Sequence, residues 1–185
     1  MKNLSSRLEL AKHFAKLDFK TGAEIGVFSG YFSEVLCQAI PNLKLYCVDA
    51  WEVYPGYRNS KFEPNMLEAY NTAKTRLAPF NAQIIKKFST DAVKGFKDGS
   101  LDFVYIDGNH EYKYVKQDIE AWTPKVRKGG IIAGDDYYMT KTGNLGVIQA
   151  VHEYVDKYGY ELQLIGWDLN NPVEDNRQPQ WWFVK

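Results

Sequence analysis

Short apolar runs alternate with stretches of helical period along most of the chain. Near the start, Leu4, Leu8, Ala11, Phe14 and Ala15 recur at helical spacing, which predicts an amphipathic helix within residues 1–18 that packs outside the sheet. GAEIGV (22–27) reads as a buried first strand, and YFSEVLCQAI (31–40) as a helix that stops before Pro41. The second strand is LKLYCVDA, 43–50. From 51 to 64, WEVYPGYRNSKFEP gathers aromatics and turn formers in a stretch longer than a minimal loop, a candidate substrate loop that leads into a helical pattern at 66–77. Further strands are predicted at 82–88, 101–106 and 130–134. DAVKGF separates the first two, and a helix from Tyr112 to Val126 separates the second and third, with Gly129 and Gly130 turning the chain back into the sheet. A last helix, Leu145 to Tyr158, precedes YELQLIGW (160–167) and the terminal QWWFVK (180–185), two strands expected to form a hairpin.

Strands that alternate with helices imply a mainly parallel sheet covered on both faces. Ligands of such sheets bind at the carboxyl ends of the strands. Glu24, Asp49, Asp107, Asp135 and Asp136 all fall at or just past predicted strand ends, so five carboxylates are expected on one edge.

With 185 residues, 45% of them hydrophobic, the chain supports one sizeable core, and a single domain over 1–185 is expected. Lys and Arg number 23, as do Asp and Glu, which removes any bulk attraction to nucleic acid or acidic lipid. No apolar run approaches the ~20 residues that span a bilayer, so no membrane partner is expected. The start carries charges at Lys2, Arg7, Glu9, Lys12, Lys16 and Asp18 and lacks the apolar core of a secretory signal, which points to a cytoplasmic home. Cys37 and Cys47 lack the spacing of a redox pair or a zinc half-site and read as small buried hydrophobes.

In EIGVFSG (24–30), Gly26 and Gly30 flank the turn from the first strand to its helix, where a missing side chain lets a ligand approach backbone N–H groups. Asp49 lies 23 residues after Gly26, close to the spacing at which an acidic residue ending the second strand holds ribose hydroxyls. Together they suggest an adenosine-type cofactor. The pattern is G-x-x-x-G, without the third glycine of dinucleotide enzymes or the lysine of a P-loop, which disfavours a pyrophosphate cradle. Without a ligand, the same residues are turn formers and a capping aspartate.

EIGVFSG, VDAW with Trp51 after Asp49, DFVYIDGNHEY and GGIIAGDDY, taken in order, resemble the class I S-adenosylmethionine-dependent methyltransferases. Within that class the chain is most similar to the family of macrocin and cephalosporin-pathway O-methyltransferases, in which D-G-x-H is followed by G-G-x-x-x-x-D-D. The likeness covers about residues 20 to 138. It implies a Rossmann-like methyltransferase fold, an α/β sheet of about seven mostly parallel strands with an antiparallel last strand and helices on both faces. It also implies that Glu24 and Gly26 flank the methionine part of S-adenosylmethionine, that Asp49 holds the ribose, and that Ser89 and Thr90 lie beside the adenine. Ser29, Gly30, Trp51 and Asp107 join that cofactor set. Ser89 and Thr90, in FSTD, also read as an ordinary helix N-terminus.

Asp107 and the pair Asp135-Asp136 end predicted strands that would bring them within reach of one ion. Convergent carboxylates repel one another unless a cation compensates, and oxygen ligands select magnesium, calcium or manganese, with magnesium expected here. The alternatives are a turn at DGNH and a helix cap or a solvated pair at Asp135-Asp136. The family likeness carries metal binding onto these three positions in its metal-dependent members. His110, three residues after Asp107, has an ordinary pKa of ~6.5 that suits a general base for a hydroxyl attacking a methyl group. The resemblance gives a matching histidine that task, with Asp107 at its side; a turn residue is the alternative, and a metal-bound carboxylate or water could substitute. Trp51, Tyr54, Tyr57, Tyr112, Tyr137 and Tyr138 are candidates for the wall of an acceptor pocket, and equally for ordinary core positions.

The expected activity is therefore divalent-metal-assisted O-methylation of a small molecule, with a sugar or phenolic hydroxyl as acceptor. Nitrogen and carbon acceptors stay open, because the donor half of a site does not encode the acceptor. A nicotinamide-dependent oxidoreductase and a non-catalytic nucleoside-binding module are the competing readings. The glycine pattern weighs against the first, and the presence of Asp107, His110, Asp135 and Asp136 against the second. An oligomer is possible through the Trp181-Trp182 strand if that strand is exposed.

Overall fold

Alternation along the strands sets the layers. Strand β4 (Leu101–Ile106) turns Phe103 and Tyr105 to one face and Val104 and Ile106 to the other, because successive side chains of a strand project oppositely. All four are buried, so both faces of the sheet are covered. The computed structural model describes residues 4–54, 65–141, 143–171 and 177–185. Strands β1 (Thr21–Ile25), β2 (Lys44–Asp49), β3 (Ala82–Lys86), β5 (Val126–Gly134), β6 (Gln163–Ile165) and β7 (Gln180–Val184) complete a seven-stranded sheet of order β3-β2-β1-β4-β5-β7-β6. The pairs among β1 to β5 are parallel, whereas β7 runs antiparallel to both β5 and β6. The expected seven-stranded sheet with its antiparallel end and terminal hairpin is thus present.

Helices α1 (Arg7–Lys16), α2 (Tyr31–Ala39) and α3 (Met66–Leu77) cover the face that bears Phe103 and Tyr105. Helices α4 (Ser89–Ala92), α5 (Tyr112–Trp122) and α6 (Gly146–Tyr158) cover the other. In α1 the buried residues are Arg7, Leu10, Ala11 and Phe14, an i, i+3, i+4, i+7 stripe, and the Phe14 ring lies 4.6 Å from that of Phe103. Leu8, expected on the apolar face, is 44% exposed, because the stripe begins at Arg7. Ser6 caps this helix by accepting a hydrogen bond from the Glu9 N–H at 3.3 Å.

Most predicted boundaries shift by a residue or two, and the largest shifts lie between α5 and β5 and at β6. The helix expected to reach Val126 ends at Trp122, and a 3-10 turn carrying Pro124, which has no N–H to continue the helix, follows. Strand β5 accordingly starts at Val126 instead of 130, with a register shift between Leu101↔Val126 and Phe103↔Ile131 that takes up the glycine pair. The strand expected over 160–167 shrinks to Gln163–Ile165. Trp181 and Trp182 are buried on opposite faces of the sheet and offer no oligomer surface. Of the candidate substrate loop, 55–64, which includes Tyr57, lies outside the described residues. No helix among the described residues is long and apolar enough to cross a membrane.

Gly22 on β1 lies under the Phe103 ring, where an added Cβ would fall 2.2 Å from Cζ. Gly22→Ala is expected to cost about 1–3 kcal/mol by overpacking. Gly95→Ala, where a Cβ meets nothing within 4 Å, is expected to stay within about 0.5 kcal/mol of wild type. Denaturant unfolding of the two variants makes the comparison, and equal effects would contradict the packing described.

Candidate active site

The carboxyl ends of β1, β2, β4 and β5 open into a cavity of about 880 Å³. Its floor is the turn from β1 to α2. Gly26 takes φ +91 there, and a Cβ would lie 2.1 Å from the Asp107 carbonyl oxygen, so the approach of this turn to the end of β4 requires glycine. Asp49 fastens the turn from the side. Its Oδ2 accepts hydrogen bonds from the N–H groups of Val27 (3.0 Å) and Phe28 (2.9 Å), and its Oδ1 accepts one from Trp51 (2.7 Å). A carboxylate has about four acceptor positions, which leaves one. Burial raises the pKa of Asp49 against the lowering effect of those three N–H donors.

Among the residues singled out in the sequence, Glu24, Gly26, Ser29, Asp49, Ser89, Thr90, Asp107, His110, Asp135 and Asp136 line this cavity. Trp51 and Gly30 stand behind its wall. The Trp51 indole is buried against Tyr70 and donates to the Phe28 carbonyl at 2.7 Å, so it braces the turn. Gly30 caps α2 at φ +76 and backs onto Ala73 and Leu77 of α3. Of the aromatic candidates, Tyr54 and Tyr138 reach the wall. Tyr112 is turned to Glu153 at 2.6 Å and Tyr137 to His152 at 2.6 Å.

Glu24, fully buried at the end of β1, accepts a hydrogen bond from the Ser33 hydroxyl. Burial pushes its pKa up to about 8 although Ser33 pulls the other way, so Glu24 is mostly a neutral acid at pH 7. At the far end of the cavity Ser89 donates to Asp118 Oδ1 at 2.5 Å and accepts from Trp122 Nε1 at 2.7 Å. Asp118, buried on α5, is raised to about 6 by burial, with the Ser89 hydroxyl opposing. Sequence reasoning passed over Asp118. Its position with Val115, Ile119 and Trp122 on the buried stripe of α5 was the signal that could have found it.

The opposite end holds the charges. Arg7, 5% exposed, reaches from α1 to pair with Asp135, and its Nη2 lies 3.8 Å from Asp107 Oδ2. The guanidinium sits 4.8 Å from the Phe32 ring centroid. Burial works against its charge, but Tyr105, Asp107, Glu24 and Asp136 outweigh burial and raise its pKa. Asp135 also accepts from Gln180 Nε2 at 3.2 Å. His110 Nδ1 meets Asp136 Oδ2 at 2.7 Å, while its Nε2, 3.6 Å from Asp107 Oδ1, has no hydrogen-bond partner among the described residues. Burial lowers the pKa of His110, and Asp107 and Asp136 raise it further, to about 9, so the ring carries a proton at neutral pH. Ligand atoms of Asp107, His110 and Asp136 lie within 4.8 Å of one another. Two carboxylates and the His110 imidazole, whose orphaned Nε2 becomes a ligand atom when a metal displaces its proton, fit a divalent cation. Arg7 was missed in the sequence because it read as one more charge on an amphipathic helix.

Two outcomes follow from these burials. The folded pKa of Glu24, about 8, lies above its ordinary 4.5, so its contribution to stability is complete below the lower value and is lost as pH rises through the upper one. Denaturant midpoints should therefore move in favour of Glu24→Gln over wild type between about pH 5 and 9; a constant difference across that window contradicts the shift. Arg7→Met strands Asp135 as a buried unpaired charge and is expected to cost about 3–5 kcal/mol, part of it recovered in the double variant with Asp135→Asn. Additive losses in that double-variant cycle would contradict the pairing.

Comparison with known proteins bears on this geometry. Residues 23–137 match the family described as a methyltransferase domain. An uncharacterised protein of Acanthamoeba polyphaga mimivirus is 31% identical over 175 residues, covering 89% of this chain and 75% of its own length. A second relative, from Sinorhizobium fredii, is 27% identical over 165 residues, which is 86% of this chain but 17% of that protein. This chain therefore spans a small part of the rhizobial relative. Among solved structures, an O-methyltransferase of Bacillus cereus in complex with SAH has a TM-score of 0.68 at 15% identity, over 97% of this chain and 80% of that one. The O-methyltransferase of Streptomyces achromogenes involved in tomaymycin synthesis, solved with SAM, has a TM-score of 0.67 at 16% identity, over 97% and 79%. The precorrin-6y C5,15-methyltransferase of Geobacter metallireducens has a TM-score of 0.65 at 14% identity, over 96% and 87%. At these identities the likeness is one of fold. The chain belongs to the methyltransferase-domain family and has the Rossmann-like methyltransferase fold.

Proposed function

We propose that the chain, as one domain over 1–185, transfers a methyl group from S-adenosylmethionine to a hydroxyl oxygen of a small molecule, with a divalent cation at the Asp107 end. The observation that carries this reading is the asymmetry of the cavity. One end offers a neutral Glu24, a glycine turn and Asp49; the other gathers Asp107, Asp135 and Asp136 against Arg7 and the protonated His110. Three negative charges facing two positive ones leave a net negative edge, which a divalent cation offsets as it displaces the His110 proton. Glu24 and Gly26 would flank its methionine part, and Asp49 would take a ribose hydroxyl at its remaining acceptor position.

Asp107, Asp136 and, once its ring has given up its proton, His110 would hold the cation, while Asp135 stays paired with Arg7. Magnesium suits the carboxylates, and the imidazole admits manganese as well. Such an ion supplies Lewis acidity that favours the deprotonated form of the acceptor hydroxyl. In the transfer an oxygen–carbon bond forms as the carbon–sulfur bond breaks, its electron pair stays on sulfur, and the hydroxyl proton leaves. That proton would pass to a carboxylate oxygen of Asp107 or Asp136, or to His110 Nε2 in the form in which that nitrogen holds neither a proton nor the cation. Tyr138, two residues after Asp136 in the cavity wall, would exclude water from the reaction. The O-methyltransferase neighbours favour an oxygen acceptor, with a sugar and a phenol both in range.

Incubation with S-adenosylmethionine and panels of sugar and phenolic hydroxyls, read by mass spectrometry, should yield a product heavier by one CH2. Asp49→Ala is expected to weaken donor binding. Asp136→Asn is expected to leave donor binding near wild type and to lower turnover about 100-fold, as does chelation until the metal is restored. Equal loss of donor binding in both variants would contradict the division of the cavity.

A further inference from the structure

We infer that Asp118 reads the base of the donor: its carboxylate accepts a hydrogen bond from the exocyclic amino group of a purine and makes the cavity selective for adenine over a 6-oxopurine. This rests on the donor reading proposed above.

Asp118 is set for that task by a chain of buried hydrogen bonds. Trp122, fully buried on α5, donates through Nε1 to Ser89 Oγ at 2.7 Å, and Ser89 donates to Asp118 Oδ1 at 2.5 Å. A hydroxyl has one hydrogen, so Ser89 has none left for a ligand. Ser89 is thus a positioning residue, and the group it positions is Asp118. The other oxygen, Oδ2, lies beside Gly108 at the end of β4, where a Cβ added to that glycine would be 3.7 Å away. Ser89 is the hydrogen-bond partner of Asp118 among the described residues, and no ion pair there includes Asp118. A buried carboxylate left with one neutral donor is costly, and a ligand N–H offsets that cost.

The surroundings fit a flat heterocycle. Tyr54 meets Phe88 edge-on at 5.4 Å and Tyr114 at 5.9 Å, and all three line the cavity together with Asp118. An ionised carboxylate only accepts hydrogen bonds. A 6-amino group satisfies it, whereas a 6-oxo group presents lone pairs to it and leaves both partners unpaired, the situation in which polar sites discriminate most strongly.

Calorimetric titration of the full chain with S-adenosylhomocysteine and with its deaminated analogue S-inosylhomocysteine tests this. The wild type should prefer the adenosyl ligand by at least about tenfold. Asp118→Asn keeps the shape and adds an N–H donor, so it should weaken the adenosyl ligand about tenfold and bring the ratio of the two ligands to about one or below. Ser89→Ala, which keeps the carboxylate but removes its anchor, should reduce the preference, and with the wild-type ratio it carries the test if Asp118→Asn does not fold. Equal binding of both ligands by the wild type, or an unchanged ratio in Asp118→Asn, overturns the inference about Asp118. Failure of the wild type to bind either ligand overturns the donor reading itself.

Discussion

Like charges crowded at the ends of adjacent strands must be neutralised if a sheet is to keep them there. Asp107 follows β4, and Asp135 and Asp136 follow β5, which pairs with β4 in parallel, so the topology leaves these carboxylates no room to disperse. The chain meets this demand in three ways. Arg7 brings a guanidinium from α1 onto Asp135 and near Asp107, His110 takes a proton between Asp107 and Asp136, and Glu24 stays uncharged. The docking of α1 is therefore tied to the chemistry of the edge as well as to the packing of Phe14 on Phe103.

The donor half of the cavity works by different physics. There the backbone does most of the shaping: Gly26 lets the first turn approach Asp107, and Asp49 gathers three N–H groups from that turn. Trp51 locks the same turn from behind through the Phe28 carbonyl. A rigid turn of this kind suits recognition that must precede reaction, because little ordering is left to be done when a ligand arrives. The chemistry is left to the neighbouring strand ends.

Much of this was legible in the sequence where local and tertiary preferences agree. The strand at 101–106 and the helix at 66–77 fall at the predicted residues, since their apolar positions match the periods of the surfaces they cover. Strand ends also located most of the cavity, because an α/β sheet places its ligand site by topology. What the sequence hid were charged groups on buried faces. Arg7 and Asp118 look like solvated helix positions until the stripes that include them, Leu10-Ala11-Phe14 and Val115-Ile119-Trp122, are seen to point inward. The family resemblance also grouped Gly30 and Trp51 with the cofactor residues, although tertiary packing turns both toward α3. The early start of β5 was masked by its glycine pair, which reads locally as a turn.

A crystal structure of the protein with S-adenosylhomocysteine and Mn2+, with anomalous scattering recorded at the manganese edge, tests the central claim most directly. The predicted result is a ligand lying along the cavity with its base at Asp118 and its sulfur toward the opposite end, where an anomalous peak falls among Asp107, His110 and Asp136. A base at the Asp107 end, or a manganese peak away from these three residues with the ligand bound, would contradict it.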